Sequence, residues 1–348
     1  MRSLIFLTVA SLGGGLFTNA HARSVETNAT AQRAHPPLRA PQQWRPQRAG
    51  KDLRLQDFCV FDYRGRTMIA SMMKDFCYEG IALAASTNLV HWESLGVALR
   101  TRTGEDLSMV WAPHVVESKG VYYMFYTGVN TPAEGQWCQR ILVAASTTPD
   151  VAESWRRSTN VQFLVNGKAQ DWFRPSHPGA VWTNTAWADC RDPMVLEKDG
   201  AWYLFYTGRD AGVGICGVAT APAPLGPWQD HGAVLMVPNP TIPESCYVVE
   251  DPAGGFVMTF NLAGGGPGST VARSRSLLPL NGQPTFGNLE LLDKSTQPGL
   301  QGWAHEFLVR GEQPLLSAYL TGYFITLEQV KAVKNPNGWT VAPLPPGR

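Results

Sequence analysis

The chain has 348 residues, with 29 lysines and arginines against 28 aspartates and glutamates, and its formal net charge is +1 at pH 7. This balance excludes the basic field with which proteins bind nucleic acid and the polybasic segment that anchors a protein to a membrane surface. We therefore expect neither nucleic acid nor a membrane as a partner of the mature chain.

The first 22 residues have the features of a secretory signal peptide. A basic start, Met1-Arg2-Ser3, precedes an apolar run from Leu4 to Phe17 and an A-x-A site at 20–22. The run is too short and too rich in glycine for a membrane-spanning helix. We predict cleavage after Ala22 and a secreted or periplasmic protein. The alternative is a buried N-terminal helix.

Residues 23–52 form a leader rich in proline and arginine, with almost no aliphatic side chains. A segment of this composition buries little apolar surface, and we predict that it is extended and disordered. The alternative is that it adds one edge strand to the folded body.

A hairpin unit recurs in the rest of the chain. It combines an apolar strand, a polar turn with glycine and an aromatic strand, and copies occur at 57–71, 111–128 and 190–210. Alignment of the turn glycines matches three residues that lie eight positions before them: Asp57 before Gly65, Ala112 before Gly120 and Asp192 before Gly200. Two of the three copies thus carry a carboxylate at one structural position.

Small-residue strands follow the hairpins, as at 80–86, 141–146, 214–220 and 269–274, and a fourth strand closes each unit. Such units, at a period of roughly 55–80 residues, are typical of a β-propeller. Five units are counted, at about 53–105, 106–170, 171–240, 241–296 and 297–345. The predicted fold class is all-β: a single five-bladed propeller domain over 53–348, with four-stranded antiparallel blades around a central channel. One short helix is predicted at Leu327–Val333, and a two-sheet sandwich is the competing architecture.

Residues at the leading ends of the innermost strands converge on the channel of a propeller. In this chain they include acids, an arginine, histidines and tryptophans: Asp57, Asp192, Glu244, Arg191, His114, His305, Trp111 and Trp303. Like charges brought together raise each other's pKa and cost free energy. Such a cluster is therefore more often functional than structural.

Carboxyl groups beside aromatic walls suit the cleavage of glycosidic bonds. One must be protonated to expel the leaving oxygen, while another stays ionised to activate water or attack the anomeric carbon. A third can hold the pKa of the proton donor high. Trp111 and Trp303 could stack on a sugar ring, and Arg191, His114 and His305 are further candidates for substrate binding. The alternatives are purely structural roles, in which the histidines are core residues and Asp192 only pairs with Arg191.

The repeats, the Trp-Ala-Pro-His strand, the Arg-Asp-Pro strand and the Glu-Ser-Cys strand resemble those of the five-bladed β-propeller glycoside hydrolases. These are families 43 and 62, which act on arabinan and xylan with inversion, and families 32 and 68, which act on fructans and sucrose with retention. The resemblance makes Asp57 the general base or nucleophile, Asp192 the pKa modulator or transition-state stabiliser, and Glu244 the proton donor.

Departures from the pattern weaken the fructan interpretation. Phe58 follows Asp57 where both groups commonly have proline, and the Asn-Asp-Pro-Asn segment of fructosidases is absent. The chain also leaves no room for the C-terminal β-sandwich that fructosidases usually carry. We predict a secreted glycoside hydrolase that cleaves a polysaccharide or oligosaccharide, with arabinan or xylan as the first expectation. The alternatives are a retaining fructosidase or fructosyltransferase and a sugar-binding propeller without catalysis.

No cofactor is expected to be required, although the resemblance allows a structural calcium ion on the propeller axis near His305. Six cysteines in an exported chain allow up to three disulfides, and bridges through Cys190 or Cys246 could brace the rim of the site. None of the cysteines lies in a C-x-x-C pair, and no zinc site is predicted. We expect a monomer whose partner is its carbohydrate substrate.

Overall fold

Strands that form six sheets dominate the computed structural model, and five of these sheets have four or more strands. The structure describes residues 42–44, 47–48, 51–52, 55–73, 80–102, 106, 108–130, 137–159, 161, 163–165, 168–170, 187–210, 212–251, 254–263, 269–292, 303–308, 315–321, 324–335 and 338–343. They all lie in one compact unit, Ala34–Arg348. The predicted signal peptide lies outside the described residues.

Eight strands form the first two blades, and three short strands precede them. The preceding strands are β1 (Gln42–Trp44), β2 (Gln47–Arg48) and β3 (Lys51–Asp52). Blade 1 consists of β4 (Leu55–Tyr63), β5 (Arg66–Met73), β6 (Gly80–Ser86) and β7 (Glu93–Arg100). Blade 2 consists of β8 (Met109–Ser118), β9 (Val121–Asn130), β10 (Trp137–Ser146) and β11 (Arg156–Arg157), with a 3-10 helix at Ala152–Ser154.

Three short strands separate blades 2 and 3: β12 (Phe163–Val165), β13 (Lys168–Gln170) and β14 (Trp187–Ala188). Blade 3 consists of β15 (Cys190–Lys198), β16 (Ala201–Asp210), β17 (Val213–Ala221) and β18 (Trp228–Met236). Blade 4 consists of β19 (Ile242–Glu250), β20 (Phe256–Ala263), β21 (Ser269–Ser274) and β22 (Gly287–Leu292). Blade 5 consists of β23 (Trp303–Leu308), β24 (Leu315–Thr321), β25 (Phe324–Asn335) and β26 (Gly338–Pro343), and is described mainly by its backbone.

The blades form a closed ring around the first strand of each. β4 contacts β8, β8 contacts β15, β15 contacts β19, β19 contacts β23, and β23 returns to β4. Hydrophobic clusters fill the spaces between adjacent blades: Phe61 and Met124 lie between blades 1 and 2, and Phe205 and Phe260 between blades 3 and 4. Stacking therefore buries both faces of each sheet. The predicted all-β propeller is confirmed.

The tight turns of the first three hairpins explain why their glycines align. Each turn has two residues with positive φ, as a type I′ hairpin turn requires: Arg64 and Gly65, Lys119 and Gly120, Asp199 and Gly200. The second of these positions is glycine in all three blades because it reaches positive φ without steric cost. The turn therefore sets one register for three inner strands.

Two sequence predictions differ from the structure. Leu327–Val333, predicted as a short helix, lies within strand β25, because β24 on one side and β1 and β26 on the other complete its backbone hydrogen bonds. Gln42–Trp44, within the predicted leader, forms β1 and pairs with β25, which is the edge-strand alternative. Among the described residues, no helix has the length and hydropathy of a membrane-spanning segment.

Candidate active site

Each inner strand carries a β-bulge at the same position. The pairing register of the first two strands shifts there in every blade. One residue at each bulge has a positive φ, between 33° and 53°: Asp57, Ala112, Asp192, Ser245 and Ala304. The first three are the residues that the turn glycines align. In blade 4 the equivalent residue is Ser245, and the predicted acid Glu244 lies one position before it.

The bulges bring Asp57 and Asp192 to the same serine. The Ser245 hydroxyl donates to Asp57 Oδ1 at 3.2 Å, and the Ser245 backbone N–H donates to Asp192 Oδ2 at 3.1 Å. Thr207 also donates from Oγ1 to Asp192 Oδ2, at 3.2 Å. Two carboxylates from blades 1 and 3 are thus held beside one another by a residue of blade 4.

Arg191 connects the third acid to this pair. Its guanidinium lies 2.7 Å from Glu244 Oε1 and 3.8 Å from Asp192 Oδ2. On its other side it binds Asp189 at 2.5 Å, and Arg209 binds the second oxygen of Asp189 at 2.9 Å. The structure therefore brings Asp57, Asp192 and Glu244 together, and Arg191 lies behind them as an anchor for Glu244.

Burial and mutual repulsion change the acidity of the two bulge aspartates. Burial, with added repulsion from Asp192 and Glu244, raises the pKa of Asp57 to about 8. Burial also raises the pKa of Asp192, to about 6, although the neighbouring Arg191 opposes the change. Two carboxyl groups whose pKa values are separated in this way can hold one proton between them near neutral pH.

A pocket opens at this end of the channel, and four of the eight predicted site residues line it: Asp57, His114, Asp192 and His305. Other parts of its wall come from the bulge residues Ala112, Ser245 and Ala304 and from Phe58, Tyr247 and Glu306. The pocket therefore combines acidic, aromatic and small side chains, as a sugar site requires.

The remaining predicted binding residues have different environments. Trp303 is 48% exposed and can stack on a ligand. Trp111 is only 9% exposed and packs against Met72 and Val129, which leaves little of its ring for stacking. His305 is 1% exposed, hydrogen bonds through Nδ1 to Ser269 Oγ and stacks on Phe307.

Sequence reasoning did not assign roles to Ser245, Asp189 or Arg209. Ser245 had a detectable signal, because it stands directly after Glu244 at the start of the fourth repeat. Asp189 directly precedes β15 and Arg209 lies near the end of β16, so their meeting depends on the pairing of Cys190 with Gly208. Only strand register brings these two charges together.

The predicted disulfide through Cys246 at the rim of the site is wrong. Cys59, Cys216 and Cys246 are buried free thiols, and three disulfides are therefore excluded. Cys246 belongs to the apolar core between blades 3 and 4 together with Cys216, where a thiol behaves as a small hydrophobic group. The side chains of Cys77 and Cys138 lie outside the described part of the chain.

The fold and the acidic pocket are those of a propeller glycoside hydrolase. Among solved structures, the chain resembles a thermostable family-43 glycoside hydrolase, with a TM-score of 0.59 and 15% identity over 84% of this chain and 96% of that one. It also resembles an α-L-arabinofuranosidase from Lactobacillus brevis (TM-score 0.60, 13% identity, 85% and 96% covered). A family 32 β-fructofuranosidase of Bombyx mori matches with a TM-score of 0.58 and 16% identity over 84% of this chain and 62% of that chain. At these identities the likeness shows the fold.

A family model also matches part of the sequence. The model of "Glycosyl hydrolases family 43" matches residues 54–182, which include the first two blades. Comparison with curated proteins gives no match. The predicted resemblance to the family 43 propellers and the predicted enzyme class, a glycoside hydrolase, are confirmed by the family match.

Proposed function

We propose that the chain is a secreted glycoside hydrolase that cleaves a polysaccharide or oligosaccharide, with arabinan or xylan as the first substrates to test. The observation that carries the proposal is the meeting of three acids around Ser245 and Arg191. The printed names of similar structures, an arabinofuranosidase and an endo-arabinase among them, support arabinan as a substrate class.

The proposed mechanism gives each acid one role. Asp57 removes a proton from a water molecule whose oxygen attacks the anomeric carbon. The bond from that carbon to the leaving oxygen breaks, and Glu244 gives its proton to the leaving oxygen. Asp192 lies between them and stabilises the positive charge that develops on the sugar ring. Arg191, 2.7 Å from Glu244 Oε1, orients that carboxyl group.

The raised pKa of Asp57 supports its role as the base. A base is most effective when its pKa lies near the working pH, because it is then both ionised in part and strongly basic. The pKa of Asp57, about 8, meets this condition because burial and the two neighbouring acids oppose its ionisation. An isolated surface aspartate, with a pKa of about 3.9, would be a much weaker base.

Conservative substitution of the acids tests the proposal. Asp57→Asn, Asp192→Asn and Glu244→Gln should each lower kcat by about 10²–10⁴-fold on the best substrate of a panel of aryl glycosides and polysaccharides. Asp199→Asn is the matched control, since this aspartate lies in an exposed turn with 84% of its side chain accessible. Full activity in a folded Asp57 or Glu244 variant would refute the assignment.

Leaving-group dependence separates the acid from the base. Loss of the proton donor should reduce hydrolysis of natural glycans strongly but spare aryl glycosides whose leaving group departs without protonation. We expect this pattern for Glu244→Gln, whereas Asp57→Asn should impair both substrates equally. The reverse pattern would exchange the two roles without removing the hydrolase activity.

Two further measurements address the alternatives. The anomer first released, followed by NMR, should be inverted, and retention would favour a fructosidase-like mechanism. Calorimetry that finds tight oligosaccharide binding with no turnover of any glycan would make the chain a sugar-binding propeller.

Sequencing of the exported protein should find Arg23 at its N-terminus.

A further inference from the structure

A second ring of side chains lies one layer below the bulges. Its members stand two residues after the bulge residue of each blade: Cys59, His114, Met194, Tyr247 and Glu306. Blades 5, 1 and 2, which follow one another in the ring, contribute the Glu306 carboxylate, the Cys59 thiol and the His114 imidazole. Their ligand atoms all lie within 4.8 Å of one another, and all three side chains are buried.

Backbone hydrogen bonds from the next blade orient each of the three side chains. The Val60 N–H donates to Glu306 Oε2 at 2.9 Å, and the Val115 N–H donates to Cys59 Sγ at 3.2 Å. His114 Nε2 lies 2.9 Å from the Val195 carbonyl oxygen. Side chains that ligate metals in proteins are commonly held in this way by outer hydrogen bonds.

The bond to Val195 determines which imidazole nitrogen is available. A carbonyl oxygen can only accept, so Nε2 carries the hydrogen, and Nδ1 of a neutral ring has a free electron pair. Nδ1 lies 3.8 Å from Glu306 Oε1, which is too long for a hydrogen bond. An imidazole electron pair, a carboxylate oxygen and a sulfur atom therefore face one small space.

We propose that Cys59, His114 and Glu306 bind one divalent transition-metal ion of the zinc type. Zinc is held by sulfur at about 2.3 Å and by nitrogen or oxygen at about 2.0–2.2 Å in a tetrahedron, which places neighbouring ligand atoms about 3.3–3.8 Å apart. The observed atoms lie within 4.8 Å of one another and need to close by about 1.5 Å at most. A water molecule from the pocket, which His114 and Glu306 line, supplies the fourth ligand.

This donor set does not suit calcium, and it is separate from the axial calcium site near His305 that the family resemblance allows. Calcium takes six to eight oxygen ligands, and here a thiol and an imidazole make up two of three donors. Soft sulfur and borderline nitrogen ligands favour zinc and its neighbours in the first transition series. Binding would release the thiol proton of Cys59. It would also link blades 5, 1 and 2, because each of these blades contributes one ligand.

Metal titration of the mature protein, freed of any affinity tag and of metal by chelation, tests the inference. Reloading with zinc chloride should leave one equivalent of zinc after desalting and raise Tm by several degrees, as binding to the folded state requires. Calcium chloride in excess should not displace the bound zinc. Cobalt(II) should produce the intense visible bands of a tetrahedral site and a thiolate-to-cobalt charge-transfer band in the near ultraviolet.

Matched variants identify the ligands. Cys59→Ser should abolish the charge-transfer band and weaken zinc binding at least about tenfold, and His114→Gln should weaken zinc binding similarly. Cys246→Ser is the control, because Cys246 is another buried free thiol that lines the same pocket. It should retain both the band and the zinc.

The outcomes that overturn the inference do not involve hydrolysis, so it stands or falls separately from the proposed function. It fails if wild-type protein retains no more zinc than Cys59→Ser does. It also fails if the cobalt spectrum lacks thiolate charge transfer. If Cys59→Ser does not fold, the cobalt spectrum of the wild-type protein still decides the question.

Discussion

At the scale of single residues, the environment of the candidate acids is defined by contacts between blades rather than by their chain neighbours. Asp192 is a blade 3 residue, yet its side chain accepts a hydrogen bond from the Ser245 N–H of blade 4. Its backbone N–H donates to the Thr127 hydroxyl of blade 2. Burial among these groups raises its pKa to about 6. Its chemical character is therefore a property of the assembled ring.

The raised pKa of Asp192 predicts a pH dependence of stability. The folded protein binds the proton more tightly than the unfolded chain, whose reference pKa is 3.8. The stabilisation is therefore fully present below about pH 4 and is lost as the pH rises through about 6. Its size is on the order of 3 kcal/mol, or several degrees in Tm.

Thermal unfolding of wild type and Asp192→Asn across this range measures the effect. The Tm of the wild-type protein relative to the variant should fall between about pH 4 and pH 6, because asparagine does not titrate there. Asp199→Asn, in an exposed turn, should show a constant difference. A constant difference for Asp192→Asn as well would contradict the raised pKa.

At the scale of elements, the β-bulge is the feature that repeats most regularly. It occurs in the inner strand of all five blades, at residues with φ between 33° and 53°. A bulge redirects one side chain and bends the strand, so the five bulges form a ring of five side chains. Evolution can place an acid, a serine or an alanine at such a position without altering the blade.

The left-handed backbone of the bulge predicts an unusual response to glycine. Non-glycine residues cost about 1–2 kcal/mol at positive φ, and glycine avoids that cost. Ala112→Gly should therefore be nearly neutral in the free energy of unfolding. Ala70→Gly, at a fully buried position of the regular strand β5, should cost about 1 kcal/mol or more. Urea unfolding compares the two, and equal losses would show that the bulge stores no such strain.

At the scale of the whole molecule, four hydrogen bonds of the second layer run around the ring in one direction. Side chains of the second layer reach the main chain of the following blade: Cys59 to Val115, His114 to Val195, Tyr247 to Phe307 and Glu306 to Val60. The last of these joins blade 5 to blade 1. Strand β1 adds a second connection, because it precedes blade 1 in the chain and pairs with β25 of blade 5.

Deletion of β1 should therefore weaken the closure of the ring. A chain that begins at Arg45 lacks β1, whereas a chain that begins at Ala40 retains it, and the two differ by five residues. We expect the shorter chain to have a Tm lower by several degrees, since each lost backbone hydrogen bond costs about 1 kcal/mol. Differential scanning calorimetry measures the difference, and equal Tm values would show that β1 contributes nothing to closure.

The local sequence was sufficient for the repeat, the hairpins and the position of two acids, because the turn residues and the alternation of buried side chains act over short distances. It was not sufficient for Leu327–Val333, where pairing on both edges of β25 overrides a weak helical pattern. The predicted disulfide through Cys246 is wrong for a similar reason. Cys246 and Cys216 pack as core side chains between two blades, which cysteine spacing alone does not reveal.

What the amino-acid sequence determined by itself is therefore the propeller, the enzyme class and the strand ends where Asp57, Asp192 and Glu244 lie. Only the tertiary structure decided that Ser245 joins two acids, that Arg191 holds the third, and that Cys59, His114 and Glu306 face one another. The physical reason is the closed ring, because side chains from different blades meet only after every blade has taken its place around the axis.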